Sequence, residues 1–517
     1  MSILRTPLNP FSRMVHEGFQ SQRLHPLTAW FPITIAHLWG RSALSTEKHQ
    51  LDEEDSPPRP DEERGMPFHR RIFIEQGTLL LSLLKWTALA ALTGALVGAS
   101  TALFLNLLRR GIDFTARYPS FFLLLPIALF LSSLLVRIFA PEAEGHGTEK
   151  VIWAIHQREG QIDPRVVPVK LLATLITIAF GGSAGKEGPC AQIVAGIASV
   201  FSNLIRLSPY DRKKLVICGI AGGFAGVFGT PIAGALFAVE VLFLGQILYD
   251  VLYPSFVAGV VAYHVTTRLG ITYFHHTISW VPALDELVFL KVLLAGLFFG
   301  AVALLLVLLL EWVESAFKKW PVWKPWKAAA GGAFLAALTL WIGKSYLGLG
   351  LFGIEQAVQG KGLPPGAFFW KGLTTAVTLG SGGSGGILTP IFFIGAAAGD
   401  LWGQMMSMDR GTFAAIGMMA VLSGATNTPI AASVMAIELF GPVLASYAAV
   451  ACVTSFLITG HRSVYPSQII GVAKSESIQV DLQSEIGQVV QVRRIARPQK
   501  LLFFLSGLYH RLRKGAS

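Results

Sequence analysis

The chain has 517 residues, 52% hydrophobic and only 14% charged, with a mean hydropathy of +0.55 and a formal net charge of +11. That apolar excess excludes an ordinary soluble domain and points to an all-α polytopic membrane protein. The basic residues gather at the edges of apolar segments, so they read as membrane topology and not as a nucleic-acid surface.

Residues 1–76 are polar and contain prolines, with an acidic run at Asp52, Glu53, Glu54 and Asp55. They are expected to form a partly disordered cytoplasmic region, and no basic segment followed by an apolar leader marks a signal peptide. Residues 77–472 are the expected membrane domain. Apolar stretches begin near Thr78, Phe121, Leu171, Val251, Ala328, Ala414 and Ser446. Val292 to Leu310 carries no charge and is long enough to cross a hydrocarbon core of roughly 30 Å. Several other segments are too short for that. Short helices ending at membrane depth are tolerated only where their free backbone groups are buried in protein or line a cavity.

Those short segments flank glycine-rich breaks that repeat. Gly182-Ser183-Ala184-Gly185-Lys186-Glu187-Gly188-Pro189 lies over Gly383-Ser384-Gly385-Gly386-Ile387-Leu388-Thr389-Pro390 at an offset of 201 residues. Thr230-Pro231-Ile232-Ala233 lies over Thr428-Pro429-Ile430-Ala431 at 198, and each is followed by a glutamate, Glu240 or Glu438. The halves run from about 78 to 270 and from 285 to 470. Paired halves broken by Gly and Pro at corresponding positions point to a substrate site at the membrane midplane.

At the first break, the run Gly181 to Gly185 stops one helix and Gly188-Pro189 starts the next, with proline suited to a first helical turn. The new helix turns unpaired N–H groups and the positive end of its dipole toward the break, which is an anion site without a formal cation. The second break offers another set of amides, and an inverted repeat would bring both to one place. Glu187 is then a carboxylate tethered at an anion site, able to fill it when charged and to leave when protonated. Two overlapping motifs carry less weight. Gly181 to Gly185 matches a hydrolase elbow but lacks the strand before it and the His and Asp partners. Gly185-Lys186 lacks the Ser or Thr that would hold magnesium in a phosphate loop.

Basic pairs stand at membrane edges, and Lys318, Lys319, Lys324 and Lys327 interleave with Trp320, Trp323 and Trp326 as in a headgroup belt. Cys190, Cys218 and Cys452 sit in apolar sequence with no metal-ligand spacing, so no metal or cofactor is expected. Residues 473–517 form an expected basic cytoplasmic tail, in which Leu501 to Leu505 lies among arginines and lysines and suits an anionic lipid surface.

At these residues the chain resembles the CLC family of chloride channels and proton-coupled chloride transporters, in the form without CBS domains. Gly185 to Pro189 looks like the family's G-[K/R]-E-G-P gate segment, and Gly386 to Pro390 like its G-x-F-x-P segment with leucine for phenylalanine. Tyr465 in Ser463-Val464-Tyr465-Pro466 stands where the family places a tyrosine on the central anion, and Gly145-His146-Gly147 resembles its G-S-G segment. The resemblance spans roughly residues 78 to 470. It implies an inverted-repeat fold of tilted and re-entrant helices, a homodimer with one anion pathway per subunit, and both termini cytoplasmic at a cell membrane, the inner one in a bacterium. It implies Glu187 as gate and His146, Gly147, Lys186, Gly188, Ile387, Leu388 and Tyr465 as anion-binding residues.

Two departures bear on mechanism. His146 replaces the family's central serine, either as an N–H donor to the anion or as a ring bonded to backbone and facing away. Val241 stands where exchangers of the family carry a proton-relaying glutamate, and Glu240 beside it is expected to be structural, as is Glu438. Lys170 is expected either to lend positive potential to the pathway or to snorkel to the interface. The favoured function is passive, Glu187-gated chloride conduction; the alternative is chloride/proton exchange with protons arriving through water or His146. A membrane enzyme would need a polar catalytic cluster, and none is visible, so no enzymatic activity is expected. Fluoride specificity is disfavoured because the fluoride-selective branch usually departs from G-[K/R]-E-G-P.

Overall fold

Sixteen α-helices are found among the residues that the computed structural model describes, 68–278, 285–488, 493 and 494. The acidic run at Asp52 to Asp55 and the apolar segment Leu501 to Leu505 lie outside the described residues. The first eight helices are α1 (Phe68–Ala116), α2 (Leu125–Phe139), α3 (Thr148–Gln157), α4 (Val166–Ala179), α5 (Glu187–Leu204), α6 (Pro209–Phe228), α7 (Pro231–Glu240) and α8 (Tyr249–Arg268). They are matched in order by α9 (Glu286–Lys319), α10 (Lys324–Ile342), α11 (Leu351–Val358), α12 (Ala367–Ser381), α13 (Leu388–Met405), α14 (Arg410–Thr426), α15 (Pro429–Phe440) and α16 (Ala445–Thr459). The repeat glimpsed at two motifs therefore extends through the whole domain.

The chain divides into two compact units, Met1–Thr78 and Leu79–Ser517, and every functional residue discussed below belongs to the second. α1 begins at Phe68, so the end of the region expected to be partly disordered is helical. The helix-breaking proline nearest that start is Pro67, and none follows before the apolar run. The segment after 472 also departs from a plain tail. Val480 and Ile486 bury against Leu244 and Ile470, and β3 (Ile478–Gln479) pairs with β4 (Arg493–Arg494). A second two-residue pairing joins β1 (Phe243–Leu244), between α7 and α8, to β2 (Ile469–Ile470), just ahead of that segment.

Among the described residues, four helical segments are long and apolar enough to cross a membrane: Phe68–Ala116, Phe121–Phe139, Glu286–Lys319 and Pro442–Thr459. By contrast α4, α7 and α15 have 14, 10 and 12 residues, which at a rise of about 1.5 Å per residue is well short of the core thickness. Their ends must lie inside the protein. Small residues let the helices approach closely enough to shield them. A Cβ at Gly395 on α13 would stand 2.4 Å from Gly417 O on α14, and one at Gly417 would stand 2.4 Å from Gly395 O.

Two kinds of side-chain cap are found among the described helix starts. α6, α9 and α14 are capped by their own Ser208, Asp285 and Asp409 side chains. α7 and α15 open on Pro231 and Pro429 and are capped across the repeat. Glu438 accepts from Ile232 N (3.1 Å) and Ala233 N (2.7 Å), and Glu240 accepts from Ile430 N (3.1 Å) and Ala431 N (2.8 Å). Both glutamates thus have the structural role expected of them. α5 and α13 have no side-chain cap of their own at the N-cap position.

Candidate functional site

The two glycine-rich breaks meet face to face. Gly185 N donates to Gly386 O and Gly386 N donates to Gly185 O, both at 2.7 Å. Around this bridge each half takes donors to the other's threonine: Ser183 N to Thr378 Oγ1 (3.0 Å) and Ser384 N to Thr177 Oγ1 (3.1 Å). The Ser183 hydroxyl pairs with Thr375 and that of Ser384 with Thr174. This reciprocity is a two-fold relation written in hydrogen bonds, and it brings the N-termini of α5 and α13 together. It also commits Ser183, the serine of the hydrolase-like motif, to threonines.

Glu187 leads α5 and is 1% exposed. Its carboxylate accepts from Thr389 N at 3.1 Å and from Thr389 Oγ1 at 2.5 Å. The carboxylate of the first half therefore sits on the first turn of α13, in the place where the amides of the second half would hold an anion. Hydrogen bonds to a charged acceptor contribute about 1.5–3 kcal/mol each, enough to hold the carboxylate there against solvent. Thr389 escaped the sequence reading, although it stands inside the quoted Gly386 to Pro390 segment. A polar side chain one residue before the helix-starting proline was the available signal.

The backbone around His146 closes in from a third direction. Gly147 has φ +74°, and a Cβ on it would stand 2.1 Å from Gly188 O; a Cβ on Gly188 would stand 2.1 Å from His146 O. Only glycine fits at either position, because the loop before α3 rests directly on the first turn of α5. Gly386 also packs on this turn, its would-be Cβ 2.7 Å from Gly188 N. Ile387 and Leu388 form the start of α13, both buried, while Lys186 precedes α5 and is partly exposed.

Three polar side-chain atoms in this region are buried and have no hydrogen-bond partner: His146 Nδ1, Thr148 Oγ1 and Tyr465 Oη. Tyr465 is wholly buried, its backbone pinned by Tyr465 N to Ser463 Oγ at 3.0 Å. Its hydroxyl lies near enough to interact with Thr148, Glu149 and Glu187, although the Thr148 hydroxyl does not meet it in hydrogen-bond geometry. Unpaired buried donors on this scale are what a small anion would satisfy. The His146 ring lines a cavity of about 540 Å³ together with Glu149, Ser384 and Ser463. Its Nδ1 is buried and bonds to nothing.

Lys170 neither snorkels nor stands in the open pathway. It is fully buried, and Nζ donates to Ala143 O (2.9 Å) and Gly145 O (2.7 Å), tying down the loop that carries His146. Lys371, 201 residues later, does the same for the other half through Tyr346 O (3.2 Å) and Gly348 O (2.7 Å). The motif register at 201 would have found Lys371 had it been extended past the breaks. Val241 is fully buried, and its carbonyl accepts from Gln468 Nε2 at 2.7 Å. Nothing titratable takes its place on that side chain.

A family model described as voltage gated chloride channel matches residues 127–460. The chain is 36% identical over 409 residues to the "Chloride/fluoride channel protein" of Pseudomonas syringae pv. tomato, covering 77% of this chain and 90% of that one. Among solved structures it is similar to a CLC-type fluoride/proton antiporter, with 30% identity, a TM-score of 0.72, and coverage of 75% of this chain and 98% of the other. It is also similar to a slow cyanobacterial Cl-/H+ antiporter, at 20% identity and a TM-score of 0.63 over 72% of this chain and 94% of the other, a likeness of fold.

Proposed function

The chain belongs to the voltage-gated chloride channel (CLC) family of membrane anion transporters, and from that premise we propose that it exchanges a small halide for protons at the Glu187 site. The observation that carries this reading is the position of the Glu187 carboxylate on Thr389. An anion can take that position only by moving a buried negative charge out of it. A proton is the simplest agent that releases the carboxylate, because neutralising it removes both the charge-assisted bonds and the repulsion of an incoming anion. Anion and proton then compete for one place, which is the requirement for coupling them.

The anion is held by leading amides of α5 and α13 and by the unpaired donors of Tyr465 and His146. Lys170 holds the His146 loop in place through Ala143 O and Gly145 O. Chloride is the first candidate substrate. Fluoride is set beside it because two similar proteins are described by that ion, although the G-K-E-G-P segment at Gly185 to Pro189 argues against fluoride specificity. No enzymatic step or cofactor enters this reading. We place the protein in a cell membrane as a homodimer with cytoplasmic termini, the side marked by the basic cluster Lys318, Lys319, Lys324 and Lys327.

Passive chloride conduction is the second reading, and Val241 favours it, since a buried valine relays no proton. The deciding experiment imposes a chloride gradient across proteoliposomes at clamped potential and records lumenal pH. Uphill proton movement that vanishes in Glu187→Ala establishes exchange; chloride flux with no proton movement establishes conduction.

A further inference from the structure

The cavity beside His146 holds four carboxylates: Glu144, Glu149, Glu311 and Glu314. Three are placed as ordinary solvated or paired acids. Glu144 is bonded to Lys324 (2.9 Å) and Glu314 to Lys318 (2.7 Å), and Glu311 is exposed. Glu149 differs. It stands in the first turn of α3, partly buried, and its partners are neutral: Ser467 N at 3.1 Å and Ser467 Oγ at 2.5 Å. No salt bridge to it is found among the described residues. The charged groups acting on it are Lys150 on its own helix and Glu485 from the segment following β2, which oppose one another. Across the cavity stand Arg137 from α2 and Lys327 from α10, besides the two paired lysines.

Glu149 lines the cavity together with His146. It is within electrostatic reach of the Tyr465 hydroxyl, as is Glu187. The buried hydroxyls of Thr148, adjacent to Glu149 in the chain, and of Tyr465, two residues before Ser467, have no hydrogen-bond partner, and such groups can accept and donate a proton in turn or order a bridging water. This path bypasses Val241 altogether.

We propose that Glu149 takes up protons from the cavity side and delivers them through the Thr148–Tyr465 region to Glu187. This rests on the exchange reading. Hydronium in the cavity gives its proton to the Glu149 carboxylate, leaving water. The neutral acid then passes that proton inward, and Glu187 receives one as its carboxylate leaves Thr389. Each transfer breaks one O–H bond and forms another, and no charge beyond the single proton crosses the dry layer. The neutral Ser467 partners suit this work because they hold the side chain in place in both protonation states: Ser467 N donates to either form, and Ser467 Oγ can turn from donor to acceptor.

The test is Glu149→Gln in proteoliposomes, with chloride and proton fluxes recorded together on protein shown monodisperse by size exclusion. Glutamine keeps an acceptor for Ser467 N and cannot carry a proton. The expected result is proton flux reduced at least tenfold with chloride flux within twofold of the unsubstituted protein, and partial proton flux in Glu149→Asp. An unchanged proton-to-chloride ratio in folded Glu149→Gln overturns the assignment while leaving exchange standing. Parallel loss of both fluxes in both variants assigns Glu149 a purely structural role and also overturns it. Absence of coupled proton movement in the unsubstituted protein refutes the exchange reading, and the proton role of Glu149 with it.

Discussion

Glu187→Gln is the perturbation whose size the geometry sets most directly. The carboxylate takes two donors from Thr389, one from the amide and one from the hydroxyl. A glutamine offers one acceptor oxygen, so one of these bonds is lost and the other becomes neutral. Bonds to a charged partner contribute about 1.5–3 kcal/mol and neutral ones about 0.5–1.5 kcal/mol, so the side chain holds its place less well by about 2.5–4.5 kcal/mol. An anion competing for the site should bind roughly 60- to 1,600-fold more easily, at about 1.4 kcal/mol per tenfold. Flux should also lose its dependence on external pH, because no titration is left at the gate. The assay is anion efflux from proteoliposomes at several external pH values and anion concentrations. Unchanged pH dependence, or an unchanged half-saturating concentration, in folded Glu187→Gln protein would refute the gate assignment.

Other outcomes follow from single contacts. If the unpaired His146 Nδ1 marks a ring that serves the central anion, His146→Ser should shift the chloride-to-nitrate or chloride-to-bromide preference by about 1 kcal/mol, several-fold in relative affinity; identical preferences would remove His146 from the site. Glu240→Ala strips the cap from Ile430 N and Ala431 N and should cost about 0.5–2 kcal/mol, read as a lower thermal midpoint in detergent. Its proton-to-chloride ratio should stay as it was, and a changed ratio would show that Glu240 does more than cap α15.

Much of the architecture could be read from the chain because membrane folding leaves few choices. Backbone groups in lipid must bond within helices, so apolar length alone marks spans such as the one inside α9. Segments as short as α7 and α15 had to end inside the protein for the same reason. Glycine and proline breaks at a constant offset exposed the repeat. Gly147 and Gly188 could be quoted as motif residues but not explained, because what forbids a side chain there is a carbonyl from a distant segment.

The sequence by itself determined the class, the two-fold repeat, and the identity of Glu187 as a carboxylate at a broken helix. Those follow from local chemistry: hydropathy, helix-breaking residues and the cost of an isolated charge. Only the tertiary structure decided which groups that carboxylate meets. Thr389 lies 202 residues away and Glu149 reaches Ser467 across 318, separations over which no periodicity carries information. Lys170 likewise reads as one more basic residue until the carbonyls of Ala143 and Gly145 are seen to surround it. A side chain's partners depend on where two helices end relative to each other, and that is settled by packing around the whole repeat.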